Sequence, residues 1–373
     1  MKDRDVTIWI QGVRVAFSSN FEPLNSFARS HFSAGETGIN TMPGTSLPEA
    51  KAEVEAHLEW IEGVPPKKEY AEVPPGRMRL DRDIEIGKGE IAWSRIDDFS
   101  DLQLRFSLAE NHLRLVGQHF FLLGRTPLRD QMKKTWYRKR LPTLRKKRFS
   151  TLLYYMIYYP SFWWLQRQGL FPLHAGAVDL AGTGIVFCGL PGCGKSTLSL
   201  ASLSLPGARL LSDNIIFFDR EKVFSCPEPV LVDDQSLKLI GKGGSLLHPL
   251  GRRHVYDRSW YHVDPGRLVD HTIPRLFFFV GLGQKTTLRP LLGEEAYQRF
   301  DSANCIAQEM RRYLVYRSVL GLSANHLCKN GAHDRVLHAL LSQGRCYELT
   351  VGWGDGLAKA LELVNSLAAK LTQ

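Results

Sequence analysis

Residues 184–197 read GIVFCGLPGCGKST, a short apolar run followed at once by a glycine-rich segment. Gly189, Gly194, Lys195 and Ser196 fit the spacing G-x-x-x-x-G-K-[ST], with Gly192 as a further glycine inside it. Each residue type in that pattern has a physical task. Glycines let successive backbone N–H groups turn inward toward phosphate oxygens, and a lysine balances their charge. The Ser196 hydroxyl suits a Mg²⁺ ion, and the helix predicted over KSTLSLASLSL presents its positive end to the anion. Pro191, Cys193 and Thr197 complete the predicted nucleotide-binding segment from 189 to 197.

Upstream, FPLHAGAVDL (171–180) reads as a strand and AGTG (181–184) as a tight turn, so the apolar run is the second strand of a hairpin. Antiparallel counting then puts His174 opposite residues 189 to 191, at the mouth of the loop. Downstream, ARLLSD (208–213) is a third strand that ends in Asp213. A carboxylate in that place holds Mg²⁺ or faces the terminal phosphate. A histidine and a strand-end aspartate are also ordinary structural residues; register and order single these two out. IIFFD (215–219), PRLFFFVGL (274–282) and CYELTVG (346–352) read as further strands, with helices predicted from EEAYQRFDSA (294–303) and over GLAKALELVNSLAAKL (356–371).

The first hundred-odd residues carry a different pattern. Val6, Ile8 and Ile10 alternate with polar neighbours, as do Val13, Val15 and Phe17 after Gly12, which predicts a hairpin. Val54, Ala56, Leu58 and Trp60 alternate too and predict a strand despite the helix-forming Glu and Ala between them. Leu102–Phe106 and Leu113–Val116 continue the series, and segments 41–48 and 63–76, rich in Pro and Gly, read as loops.

Between the two patterns lies KKTWYRKRLPTLRKKR (133–148), with nine basic residues and no acid. It forms either a field that attracts phosphate-rich or acidic partners, nucleic acid among them, or a solvated linker face. FSTLLYYMIYYPSFWWLQRQGL (149–170) follows, too broken by Pro160 and flanking charges to span a bilayer. Its readings are a core helix, an interdomain buttress or a membrane-surface anchor. The whole chain of 373 residues has a net charge of +10 and an ordinary globular composition. Six scattered cysteines without C-x-x-C spacing, and an opening MKDRDVTIWI without an apolar signal core, lead us to expect reduced thiols in a cytoplasmic protein.

The order LHAGAVDLAGTGIVFCGLPGCGKSTLSL, followed by ARLLSDNIIFF, resembles the kinase domain of HPr kinase/phosphorylase-like proteins, including the HPr-kinase-related enzymes of peptide-modification pathways. The resemblance is specific over about residues 171 to 220 and looser over about 200 residues. It implies an α/β P-loop kinase domain of the HPr kinase and phosphoenolpyruvate carboxykinase type over 171–373; the residue patterns themselves set a β-rich N-terminal domain, a candidate substrate- or partner-docking module, over 1–130 and a connecting segment over 131–170. It also implies ATP or another nucleoside triphosphate with Mg²⁺, a histidine at 174 beside the loop, Asp213 as base toward an acceptor hydroxyl, and a homo-oligomer. The family pattern has two adjacent acids where this chain has Asp213 and Asn214, and Asp233 and Asp234 are candidate substitutes. The glycine-rich signature of bifunctional members has only GKGGSLLHPLGRRH (241–254) as counterpart, which weakens HPr itself as substrate.

The expected function is therefore transfer of a γ-phosphoryl group to a hydroxyl, on a serine or threonine of a protein or peptide. Lys195 would stabilise the transferred charge, Asp213, tuned by His174, would take the proton, and Ser196 and Asp213 would hold the metal. Lys242, Arg252 and Arg253 would guide an anionic substrate or form a solvated loop. The alternatives are a small-molecule hydroxyl acceptor and a nucleotide-dependent switch that binds nucleic acid or a partner through 133–148.

Overall fold

The alternating apolar residues of VTIWI and VRVAFSS pair as a hairpin, Val6 opposite Phe17 and Ile10 opposite Val13, with their apolar side chains on one buried face. In the computed structural model, residues 6–38, 52–65, 76–96, 101–124, 126–253, 258–322, 331–353 and 356–372 are described. The expected loop at 41–48, much of that at 63–76, and Cys328 lie outside them. The chain divides into two compact units: Met1–Ser30, Pro48–Trp164 and Val315–Leu327 form one, and His31–Leu47, Leu165–Leu314 and Cys328–Gln373 the other.

The first unit is built on an eight-stranded sheet of β1 (Val6–Ile10), β2 (Val13–Ser19), β3 (Ala52–Glu62), β4 (Arg77–Arg79), β5 (Ile84–Gly87), β6 (Glu90–Trp93), β7 (Leu102–Leu108) and β8 (His112–Phe121). Its order is β1-β2-β3-β8-β7-β6-β5-β4, with β3 parallel to both β2 and β8. The period-two burial of Val54, Ala56, Leu58 and Trp60 decides β3 against the helix propensity of its glutamates. Helix α1 (Glu22–Gly38) is an element that the β-rich reading of this half does not include. Its Leu24, Phe27, Ala28, His31 and Phe32 are buried at helical spacing.

Helices α2 (Pro127–Trp136), α3 (Leu141–Leu153) and α4 (Tyr159–Arg167) follow, the last two joined by a π-helical turn over Tyr154–Tyr158. Pro160 therefore does not end the helix. It lacks the N–H an α-turn needs, and the widened turn just before it absorbs that defect. Phe149, Leu152, Tyr155, Met156, Tyr158, Phe162 and Trp163 are all buried. Over 149–165 this is the burial of a core helix.

The second unit continues with β9 (Phe171–Leu173), β10 (Ala175–Leu180), β11 (Thr183–Cys188), α5 (Lys195–Ser202), β12 (Ala208–Ser212), β13 (Ile216–Phe218), β14 (Val223–Ser225), β15 (Val230–Asp233), α6 (Asp234–Ile240), β16 (Leu247–Arg253), β17 (Arg258–Val263) and β18 (His271–Thr272). It ends with β19 (Pro274–Gly283), β20 (Thr287–Pro290), α7 (Gly293–Ile306), α8 (Gln308–Gly321), which from Val315 onward belongs to the first unit, α9 (Ala332–Leu341), β21 (Arg345–Gly352) and α10 (Gly356–Thr372). The central six-stranded sheet has the order β12-β10-β11-β19-β21-β20, with β11, β19 and β21 parallel.

Both faces of that sheet are covered, which is why its strands are continuous apolar runs. Ile185, Phe187, Leu276 and Phe278 face α5 and α10, where Leu198, Leu200, Ala360 and Val364 meet them. Val186, Cys188 and Phe277 face the other way, toward Phe300 of α7 and Leu337 and Leu340 of α9. The architecture is mixed α/β, helices on both sides of a mixed sheet whose three parallel strands lie between antiparallel neighbours.

Candidate functional site

FPLHAGAVDL is not one strand but two. β9 pairs with β13 in a four-stranded sheet, while β10 pairs with β11 and β12 in the central one. His174 is the residue at which the chain changes sheets. Its backbone N–H leaves both ladders and donates to Asn304 Oδ1 at 2.9 Å. Ala175 stands opposite Cys188, so the next step of the register sets His174 beside Gly189, where the glycine loop departs.

The loop leaves β11 and enters α5 through three residues with left-handed φ, Gly189 (149°), Gly192 (83°) and Gly194 (97°). At Gly189 the need is steric as well: a Cβ would lie 2.6 Å from the Val280 carbonyl oxygen and 2.8 Å from Cys193 Sγ. Pro191 and Gly192 are exposed, and Cys193 is buried beneath them. Burial pushes the Cys188 thiol up to about 12 and raises that of Cys193, so neither presents a thiolate.

Lys195 opens α5 and is 5% exposed. Its Nζ donates to the carbonyls of Gly189 at 2.9 Å and Leu190 at 3.1 Å. Among the described residues no carboxylate pairs with it, so a buried ammonium is held by neutral oxygens alone. The next residue, Ser196, donates from Oγ to the Asp213 carbonyl at 3.1 Å, which sets its hydroxyl close to the Asp213 side chain. Thr197 is half-buried on the same first turn.

Asp213 follows β12, which is held to β10 by the pairing of Ser212 with Ala177. It is 4% exposed, and burial lifts its carboxyl to about 6, against the opposing effects of the Ser196 hydrogen bond and the Lys195 charge. His174 is 6% exposed and pushed down to about 3 by burial, with Lys195 as a second cause. The structure places the His174 side chain against Asn214 rather than Asp213. Its Nδ1 is buried without a hydrogen-bond partner among the described residues.

One residue here is absent from the sequence reading. Asn214 Nδ2 donates to Glu228 Oε2 at 2.9 Å, so a carboxylate reaches the position after Asp213 from a separate segment. The candidate substitutes do other work: Asp233 caps α6, accepting from the Ser236 N–H at 2.7 Å, and Asp234 is exposed on the first turn of that helix. Glu228 sits between Pro227 and Pro229, which makes its segment read as a mere connection. In GKGGSLLHPLGRRH, Gly243 is required because a side chain would strike the Leu200 carbonyl of α5. Lys242 is exposed, and the side chains of Arg252 and Arg253 lie outside the description.

The donor set fits a metal-bound polyphosphate: a buried cation without an ion pair among the described residues, a hydroxyl held to the backbone of a buried aspartate, and a loop free of side chains at its tight turns. No protein-family model matches the chain, and no curated protein matches it in sequence. Among solved structures, the HPr(Ser) kinase/phosphatase from Coxiella burnetii is similar at 12% sequence identity and a TM-score of 0.27, over 54% of this chain and 99% of that one. So loose a superposition carries no argument about chemistry. Among the described residues no helix is long and apolar enough to cross a membrane.

Proposed function

We propose that the second unit is a P-loop phosphotransferase that moves the γ-phosphoryl group of ATP, or another nucleoside triphosphate, to a hydroxyl. The observation that carries this reading is Lys195, a buried ammonium held only by the carbonyls of its own glycine loop. Burying a cation without a directly paired carboxylate is costly, and a site that tolerates it is suited to an anion. The loop amides and the start of α5 add donors of the same sense.

Ser196 and Asp213 would hold Mg²⁺, which supplies charge neutralisation on the phosphates. Lys195 exchanges its two carbonyl partners for phosphate oxygens. Asp213, fixed beside Ser196, accepts the acceptor's proton while the acceptor oxygen bonds to phosphorus and the bond to the diphosphate breaks. Asn214, tied to Glu228 and His174, keeps the neighbouring backbone in place. A serine or threonine of a protein or peptide is the acceptor class we favour, on the sequence resemblance.

Incubation with γ-labelled ATP and separation of labelled macromolecules from labelled small molecules tests the reading. Label on a polypeptide supports it, and label only in low-mass products replaces the peptide acceptor by a metabolite. Release of free phosphate alone, stimulated by nucleic acid, would favour a nucleotide switch instead.

A further inference from the structure

The basic segment is not uniformly exposed, and its arrangement on α2 is unusual. The helix is well defined, with Thr126 as N-cap and Pro127 in its first turn. Asp130 is its buried residue, accepting from the Leu123 N–H at 2.6 Å and pairing with Lys134 at 2.8 Å. Lys134 also bonds the Phe121 carbonyl and Glu62. The helix therefore attaches to its unit by its charged side.

Its apolar residues point away. Leu128, Met132 and Trp136 are 69%, 64% and 85% exposed. At about 100° per residue they share an arc of about 80°, and Asp130 and Lys134 lie on the opposite side of the helix. This is an amphipathic helix turned inside out. Leaving such residues outside is unfavourable in water, and a contiguous apolar stripe marks an interaction site.

One edge of the stripe is basic and the other carries the uncharged Gln131 and Thr135. Arg129 and Lys133 border the stripe, and the helix runs on into the exposed Arg138, Lys139 and Arg140. Arg145 and Arg148 pair with Glu62 and Asp101, whereas the side chains of Lys133, Arg138, Lys139 and Arg140 have no ion pair among the described residues. A surface of Leu, Met and Trp bordered along one edge and at its C-terminal end by cations needs a partner that offers an apolar phase beneath an anionic layer. Nucleic acid supplies the anions but no phase for Leu128 and Met132. The stripe is also a projecting ridge, which a deformable partner accommodates without a matching groove.

We propose that α2 docks this protein on an anionic phospholipid surface, with Leu128, Met132 and Trp136 entering the headgroup boundary and the flanking Lys and Arg facing lipid phosphates. The site is separate from residues 149–170 and does not depend on the phosphotransferase reading. Co-sedimentation of the full chain with vesicles tests it. Phosphatidylcholine containing phosphatidylglycerol should retain the protein, phosphatidylcholine alone should not, and added salt should weaken retention. Met132→Ser with Trp136→Ser should reduce retention about tenfold or more, while these exposed positions leave folding intact by circular dichroism. Lack of retention on anionic vesicles, or full retention by the double variant, overturns the proposal. So does capture by RNA or by an acidic polypeptide that depends on the same two residues without any vesicle binding.

Discussion

Lys195→Ala removes the cation from the glycine loop without touching the sheet that carries it. We expect transfer from nucleotide to acceptor to fall by about a hundredfold or more, as for the loss of one preorganised electrostatic contact, with the unfolding midpoint little changed. A rate assay beside a thermal melt separates the two. Asp213→Asn keeps the shape of the side chain and removes its basicity; nucleotide binding should persist while transfer is lost. Asn214→Leu leaves the buried His174 ring without its partner and Glu228 without the amide. It should cost about 1–3 kcal/mol of stability, read by urea unfolding, and slow transfer as well. Lys195, Ser196 and Asp213 were legible because spacing along the chain is their signal. Glu228 was not, because its partner lies 14 residues away and only the folded turn brings them together.

At the scale of elements, the junction between β11 and α5 depends on Gly189. Its φ of 149° and the nearness of the Val280 carbonyl leave no place for a methyl group. Gly189→Ala should destabilise the second unit by roughly 1–3 kcal/mol and weaken nucleotide binding together with it, which calorimetric titration and unfolding would detect in one variant. The strands were readable from alternation or from unbroken apolar runs. Helix α1 was obscured by poor local propensity, with Pro23, two glycines and several serines in EPLNSFARSHFSAGETG. Its signal was present in the spacing 24, 27, 28, 31 and 32. The break at His174 was not legible, because β9 and β10 are equally apolar and only their different pairing partners separate them.

For the molecule as a whole, acid sensitivity follows from His119, fully buried on β8 and T-stacked on Trp60. Burial, reinforced by the charge of Arg148, pushes it down to about 3. The unfolded chain binds that proton near pH 6.5 and the folded chain does not, so stability is retained above about 6.5 and falls as pH drops toward 3. The slope is about 1.4 kcal/mol per pH unit for this one site. His119→Phe should reduce the pH dependence of the urea midpoint between neutral and acid by one proton. The tilt of α2 toward solvent belongs to this scale too: composition showed its charge, but only the fold showed which side faces out.

Tyr316 has a consequence for how the protein is made. It is fully buried in the first unit, with its ring against Trp93, Phe106, Tyr155 and Tyr159. Removing it by Tyr316→Ala should cost about 3–5 kcal/mol. A ribosome delivers the rest of that pocket by residue 164 and then synthesises 150 further residues, the glycine loop included, before Val315–Leu327 arrives. The unit begun first is thus completed late, and a nascent chain arrested near residue 165 should remain open to protease until translation passes α8.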